Sequence, residues 1–276
     1  MRRRVQAPLV NGLLLAAAAL TLFPLLWMVS VSLMSPGEAS SYPPPLVPER
    51  ATLGNYRELF GRAGVGRYLV NSVFLAAAVT AVSLVFNVAA GYAFAKLRFA
   101  GRDRIFKLLL GALVIPGQVA MVPLFLLLKQ MGLVNSYGGV IVPAMAGIFG
   151  IFLVRQYALS IPDELLEAAR IDGASEWRIF HSVGLRLMFP ALITVFLIQF
   201  IAVWNNFLLP FVMINNDQLY PLTLGLYGLM IITGGQAAQY SIVIAGVLVS
   251  IVPLAILFLS LQRYWKIDLI SGGVKL

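Results

Sequence analysis

The chain has 276 residues, of which 60% are hydrophobic and only 11% charged, with a formal net charge of +9. Soluble domains carry about 25% charged residues, so the composition excludes an ordinary water-soluble fold and indicates an integral membrane protein. Cysteine is absent and His181 is the one histidine, which excludes disulfides and thiolate chemistry and argues against a histidine-based metal site.

A membrane-spanning helix needs about 20 predominantly apolar residues. Six runs meet that requirement, at 9–33, 68–95, 105–128, 138–155, 187–212 and 240–261. The first follows "MRRR", as a signal peptide would. It is longer than a signal core and ends without a small-x-small cleavage site, so it reads as a retained anchor. Residues 34–67 contain "SPGEASSYPPPLVPER", a turn-rich, extended segment. "TLGNYRELF" follows, with the pattern of a short amphipathic surface helix. The chain then divides into an anchor with an outer loop (1–66), a membrane core (67–262) and a C-terminal tail (263–276). The second and fifth runs are long enough to tilt or to end before the apolar stretch does. Pro24, Pro116, Pro123, Pro143, Pro210 and Pro253 lie in the runs. Kinks that permit rearrangement and the ordinary proline enrichment of membrane helices are equal readings of them.

Six spans put both termini on one side. Fifteen of the 20 Lys and Arg residues lie at the termini, in 96–107 and in 155–186, against five (Arg50, Arg57, Arg62, Arg67 and Lys129) in the alternate loops. The positive-inside rule therefore assigns both termini and the two charged segments to the cytoplasm. Topology accounts for the +9, and no nucleic-acid partner is needed. None of the 11 acidic residues falls within a run, so the ionisable relay of a proton-coupled transporter is missing. There is no G-x-x-x-x-G-K-[ST] phosphate loop and no H-E-x-x-H. The chain thus reads as carrying no catalytic residues, no metal and no cofactor, and any uphill transport must be driven by another polypeptide.

One cytoplasmic segment is unlike the rest. "EAARIDGASEWRIF" at 167–180 places Glu167, Arg170, Asp172, Glu176 and Arg178 in an otherwise apolar region. Ser160 and Asp163 have capping-box spacing, with Pro162 in the first turn. A helix over "DELLEAARID" then stops at Gly173, suited to a left-handed conformation, and Ser175 caps a second short helix, "EWRIFHSVGL". Leu165, Ala168, Ala169 and Asp172 share one face of the first helix, and Trp177 and Phe180 lie one turn apart on the second. A solvated topogenic loop and a partner-docking helix pair both fit these features.

The wording of the segment carries a resemblance. "EAARIDG" at 167–173 matches the E-A-A-x-x-x-G loop of inner-membrane permease subunits in ATP-binding-cassette importers. "YAFAKLRFAGRD" at 92–103, "VWNNFLLPFVMI" at 203–214, "YPLTLGL" at 220–226 and "LQRYWKIDLISGGVKL" at 261–276 resemble the maltose-permease G-type subunits of carbohydrate importers. The resemblance implies an all-α membrane protein of six transmembrane helices, with both termini cytoplasmic and the type I ABC importer permease fold. It implies that the loop at about 160–186 is a coupling helix seated on a cytoplasmic ATPase through Glu167, Ala168, Ala169, Asp172, Gly173, Trp177 and Phe180. It implies as partners a second homologous permease subunit, two cytoplasmic ATP-binding-cassette subunits that use the ATP, and an extracytoplasmic sugar-binding protein, all at the cytoplasmic (inner) membrane of a bacterium or archaeon. One position departs: Arg186 stands where the family usually has proline, and Pro190 follows.

In the fifth span, Gln199, Val203 and Asn206 fall on one helical face beside Ala202, flanked by Trp204 and Asn205. Interhelical hydrogen bonding is one reading. A translocation path is the other, in which Gln199, Asn205 and Asn206 exchange hydrogen bonds with sugar hydroxyls and Trp204 offers a stacking face. Glycerol-phosphate importers share the architecture, but no span interior offers a positive charge for an anionic cargo. A stand-alone channel or secondary transporter and a membrane scaffold are rival classes.

Overall fold

The computed structural model describes residues 2–41, 43, 45–61, 64–232 and 237–272. The elements are helical, and there is no strand among the described residues. In chain order they are α1 (Arg2–Ser32), α2 (Pro36–Ala39), α3 (Gly54–Gly61), α4 (Val65–Lys96), α5 (Arg102–Ala112), α6 (Met121–Gln130) and α7 (Gly138–Ile141). There follow α8 (Ile148–Leu159), α9 (Asp163–Ile171), α10 (Glu176–Ile179), α11 (Leu185–Trp204), α12 (Leu208–Met213), α13 (Leu222–Ile232) and α14 (Ala237–Gly272). Four helices are individually long and apolar enough to cross a bilayer: Val10–Ser32, Val65–Lys96, Glu176–Trp204 and Tyr240–Tyr264. Two bent pairs raise the number to six: Arg102–Ala112 with Gly117–Gln130, at 90°, and Gly138–Ala144 with Ile148–Leu159, at 40°.

The bends favour the kink reading for Pro116 and Pro143, which stand where the third and fourth runs change direction. Pro116 cannot donate a hydrogen bond and sits in extended conformation ahead of Gly117, where the third run turns. Pro143 lies in the 3-10 turn that ends the first half of the fourth run. Pro253, by contrast, is inside the continuous α14. Proline therefore marks a break only where a second interruption, such as Gly117 or Gly147, stands close by. The fifth span ends before its apolar run does, one of the two outcomes its length allowed: it stops at Trp204 rather than Val212, and α12 is a separate short helix. The segment read as a tail from 263 continues α14 as far as Gly272; residues 273–276 of that tail lie outside the described residues.

The chain divides into two compact units, Met1–Arg67 with Gly225–Pro253, and Tyr68–Leu224 with Leu254–Leu276. The 67–262 core of the sequence reading is shared between them. In the first unit, Asn55 on α3 is buried and its Nδ2 donates to the carbonyls of Ser32 and Met34, each at 2.8 Å. Those carbonyls lie at the C-terminal end of α1, which would otherwise be short of partners. Ser241 Oγ donates to Asn55 Oδ1 at 3.1 Å, drawing α14 onto the same amide. The amphipathic helix expected near 52–60 is thus present as α3, with Asn55 and Leu59 turned inward.

The second unit is centred on α4, α8, α9, α10 and α11, whose Tyr92, Val154, Leu166, Ile179 and Met188 share one apolar core. At Gly91 of α4 an added Cβ would meet Val154 of α8 at 2.6 Å, so the missing side chain sets how closely these two helices approach. Asn87 Oδ1 accepts from the Gly147 N–H at 2.9 Å and so satisfies the donor at the bend of the fourth run. At the other end of the unit, Asn71 Nδ2 donates to the carbonyls of Gln218 and Tyr220, and Tyr137 Oη donates to Asn71 Oδ1.

Candidate functional site: the charged helix-turn-helix

Pro162 stands at the cap position just before α9, and its fixed φ leads into the first turn. The expected Ser160 capping box does not form. Ser160 Oγ donates instead to the Tyr157 carbonyl at 2.7 Å and finishes α8. The start of α9 is favoured by Asp163 and Glu164, two carboxylates at the positive end of the helix dipole. The face of Leu165, Ala168, Ala169 and Asp172 is mostly turned outward, and the neighbouring Leu166 sets the inner face. Leu166, 1% exposed, anchors the helix, with Ala169 half-buried behind it, while Leu165 and Ala168 are exposed.

The end of α9 follows the expected turn chemistry. Gly173 has φ +79°, the Gly173 N–H donates to the Arg170 carbonyl and the Ala174 N–H to the Ala169 carbonyl, both at 3.0 Å. This is a Schellman closure, and it needs a residue that tolerates the left-handed region. Ser175 Oγ then accepts from the Arg178 N–H at 3.3 Å, as its cap role requires. Across the turn Arg170 grips Glu176 with two contacts, Nε to Oε1 at 2.6 Å and Nη2 to Oε2 at 3.2 Å. The pair is half-exposed, so its main effect is geometric, fixing α9 against α10; such surface pairs contribute about 0–1 kcal/mol.

α10 is not the separate short helix of the sequence reading. The chain stays helical from Glu176 to Trp204, passing through a π turn at Phe180–Gly184 in which the Leu185 N–H donates to the Phe180 carbonyl. Arg186, at the family's usual proline position, lies in this unbroken helix, and Pro190 is accommodated inside α11. At 1.5 Å per residue the 29-residue helix is about 43 Å long, more than the roughly 30 Å of a hydrocarbon core. The π turn lies against α4: the Phe180 and Tyr92 rings are 4.9 Å apart, and a Cβ on Gly184 would reach Tyr92 Cε2 at 2.8 Å. Trp177, 70% exposed, stands outermost, edge-on to His181 at 4.4 Å.

The coupling candidates thus sort into two groups. Glu167, Ala168, Asp172 and Trp177 face outward, together with Leu165 and Ile171, the latter 86% exposed. Ala169 and Phe180 turn into the protein's own core, and Gly173 forms the turn between the helices. A residue that sequence reading treated only as a topogenic charge joins them. Lys96, at the end of α4, has a side chain only 4% exposed, and its Nζ lies 2.6 Å from both the Ile161 carbonyl and Asp163 Oδ1. That hydrogen bond, and then the attraction of the same ammonium, hold the Asp163 carboxyl below its ordinary range. An open cleft of about 890 Å³ lies beside this contact, lined by Lys96, Arg98, Arg102, Glu167 and Arg170 among others. The signal for Lys96 was its place as the first charge after a long apolar run, but nothing in the run tells which later loop it meets.

The polar group of the fifth span is only partly on one helical face. Gln199 and Val203 are half-buried in α11, but the helix ends at Trp204 and Asn206 lies past it. Asn205 Nδ2 donates to the Ile201 carbonyl at 3.0 Å, and Asn206 Oδ1 accepts from the Leu209 N–H at 3.3 Å. Thr223 Oγ1 donates to the Asn206 carbonyl at 3.2 Å. Trp204 is 4% exposed and stacked on Phe200, with ring centroids 5.9 Å apart, so its face is covered within the chain.

Comparison with known proteins gives consistent matches. A family model described as "binding-protein-dependent transport system inner membrane component" matches residues 87–266. The chain is 38% identical to the arabinooligosaccharides transport system permease protein of Halalkalibacterium halodurans, over 99% of each chain. It is 30% identical to the lactose transport system permease protein of Rhizobium radiobacter, over 100% of this chain and 98% of the relative. Among solved structures, a chain from the crystal structure of a bacterial ABC transporter involved in import of the acidic polysaccharide alginate superposes with a TM-score of 0.81. That chain is 25% identical, and the match covers 96% of this chain and 98% of that one.

Proposed function

The chain belongs to the family of binding-protein-dependent transport system inner membrane components, and we propose that it is the permease subunit of an ATP-driven carbohydrate importer. It forms half of a translocation pathway and works with a second homologous permease, two cytoplasmic ATP-binding-cassette subunits and an extracytoplasmic sugar-binding protein. It resides in the cytoplasmic membrane of a bacterium or archaeon. ATP is hydrolysed on the partner subunits, and this chain contributes no catalytic group. The carbohydrate assignment is supported by the two relatives named for arabinooligosaccharides and lactose.

The observation that carries the coupling role is the construction of the α9–α10 pair. Its outward face combines Glu167 and Asp172 with the exposed apolar Ile171 and Trp177, as a docking surface does. Its inner face is packed on α4 and α8, and its second helix is continuous with a span. A push on Trp177 therefore displaces α11 directly, without a flexible joint between. In this reading Gln199, Asn205 and Asn206 border the route at the far end of the same helix.

Purification of the chain expressed with its neighbouring genes, followed by uptake into proteoliposomes, tests the proposal. An ATPase and a second permease copurify, and labelled arabinooligosaccharide or lactose accumulates only with ATP inside. Accumulation of glycerol 3-phosphate in place of either sugar would refute the carbohydrate assignment. Flux without any copurifying ATPase would refute the permease assignment and favour a lone pore.

A further inference from the structure

Lys96 ends α4 with a side chain that is 4% exposed. Burying an ammonium is costly unless it is paired and hydrogen-bonded. A lysine retained only to set topology has no reason to accept that cost, because an exposed charge serves as well. Its two acceptors are remote in sequence and adjacent in space. They are the Ile161 carbonyl, between α8 and α9, and Asp163 Oδ1 in the first turn of α9, each at 2.6 Å. α9 is consequently held at both ends. Lys96 fixes its start, and the Gly173 closure with the Arg170–Glu176 pair fixes its finish. A helix held at one end pivots under load, whereas one held at both moves as a rigid piece and carries its attachments with it.

We propose that Lys96 is a positioning residue for energy coupling. It ties the end of α4 to the entry of α9, so that displacement of α9 by the ATPase reaches α4 as well as the continuous α10–α11 helix. The proposal rests on the importer reading above and adds to it a second transmission point, outside the 160–186 loop. Lys96 works through Asp163 and the Ile161 backbone and touches neither cargo nor nucleotide.

The test uses the whole complex in proteoliposomes, with the arabinooligosaccharide or lactose that the wild type accumulates. Uptake, ATP hydrolysis and subunit stoichiometry are measured on the same preparations. Lys96→Met keeps an apolar stem of similar length and removes both hydrogen bonds. It is expected to retain its partners and its hydrolysis while sugar moved per ATP falls about tenfold, within the usual range of coupling between sites. Lys96→Arg, which can reach both acceptors, restores the ratio to within about twofold of the wild type, below the lower end of that range at about fivefold. Asp163→Asn, which leaves the Ile161 bond, falls between the two. Arg104→Met, which removes a cytoplasmic charge elsewhere, leaves the ratio unchanged. An unchanged ratio in Lys96→Met overturns the proposal. So does a loss of assembly and uptake in equal proportion that Lys96→Arg does not restore, since that describes a purely structural contact. A wild-type chain that brings down no ATPase removes the importer reading itself, and this is seen before any variant is compared.

Discussion

Replacing Gly173 by valine separates backbone geometry from contact loss. The glycine has φ +79°, and an added Cβ would meet nothing within 4 Å. The penalty is therefore conformational: about 1–2 kcal/mol for an L-residue in the left-handed region. If the turn yields instead, the two Schellman hydrogen bonds are lost, each a net contribution of about 1 kcal/mol. Either way the turn is destabilised by about 1–3 kcal/mol, combining these ranges. That is small beside the burial of Leu166 and Ile179, so the protein still inserts, but it is enough to populate misaligned positions of α9 relative to α10. Because the cause is φ alone, substitutions should rank by tolerance of that region, with asparagine near wild type, alanine intermediate and valine worst. The assay is sugar uptake and ATP hydrolysis by the reconstituted complex, beside membrane yield of the subunit. Wild-type uptake in Gly173→Val, or equal damage from Gly173→Asn and Gly173→Val, would show that the turn does not set the coupling geometry.

The other predictions concern topology, pH and the pathway. Because the chain lacks cysteine, single cysteines report topology: at Ser41 or Asn216 they should react with an impermeant reagent in intact cells, and at Gly101 or Ser175 they should not; reversed labelling would refute the charge-based orientation. Asp163, its carboxyl held low by Lys96, stabilises the start of α9 above the ordinary aspartate value of about 3.9, and the contribution is lost as pH falls through the lower folded value. Hydrogen exchange over 160–172 should therefore accelerate below about pH 4 in the wild type and much less in Asp163→Asn, whereas matching acid responses would exclude the Lys96 contact as the cause. Asn206→Ala removes the acceptor for the Leu209 N–H, at a cost of about 0.5–2 kcal/mol as for other caps. If Asn206 borders the route, uptake kinetics or cargo preference shift with assembly intact, while proportional loss of both would mark it as a structural cap.

Much of the fold was legible because long apolar runs, flanking charges and turn residues each act locally. Gly173 and Ser175 did what their side chains dictate. Ser160 did not, because a hydroxyl three residues before a helix can also finish the preceding one, and here it donates to the Tyr157 carbonyl. Hydropathy reports that 105–128 and 138–155 belong in the membrane, and Pro116 and Pro143 mark where they can kink, but neither signal gives the angles of 90° and 40°. Leu165 and Leu166 are chemically alike, and only the packing of Tyr92, Val154 and Ile179 decides which turns inward. The same limit applied to Lys96, whose partners stand more than sixty residues away, and to Asn206, whose face became meaningless once α11 ended at Trp204.

The π turn at Phe180–Gly184 holds one more residue than a regular helical turn would need. It therefore acts as a phase setter. Deleting one residue there would leave a helix of nearly the same length but would rotate everything before it by about 100° relative to α11. Trp177 would leave its outward bearing, and the ring now over Tyr92 would be lost from that contact, although no buried side chain in the membrane had changed. Two surfaces, the exposed one carrying Trp177 and the apolar one of the span, share a single helix, and five residues keep them in register. Insertions and deletions in this turn should consequently be tolerated far less well than substitutions.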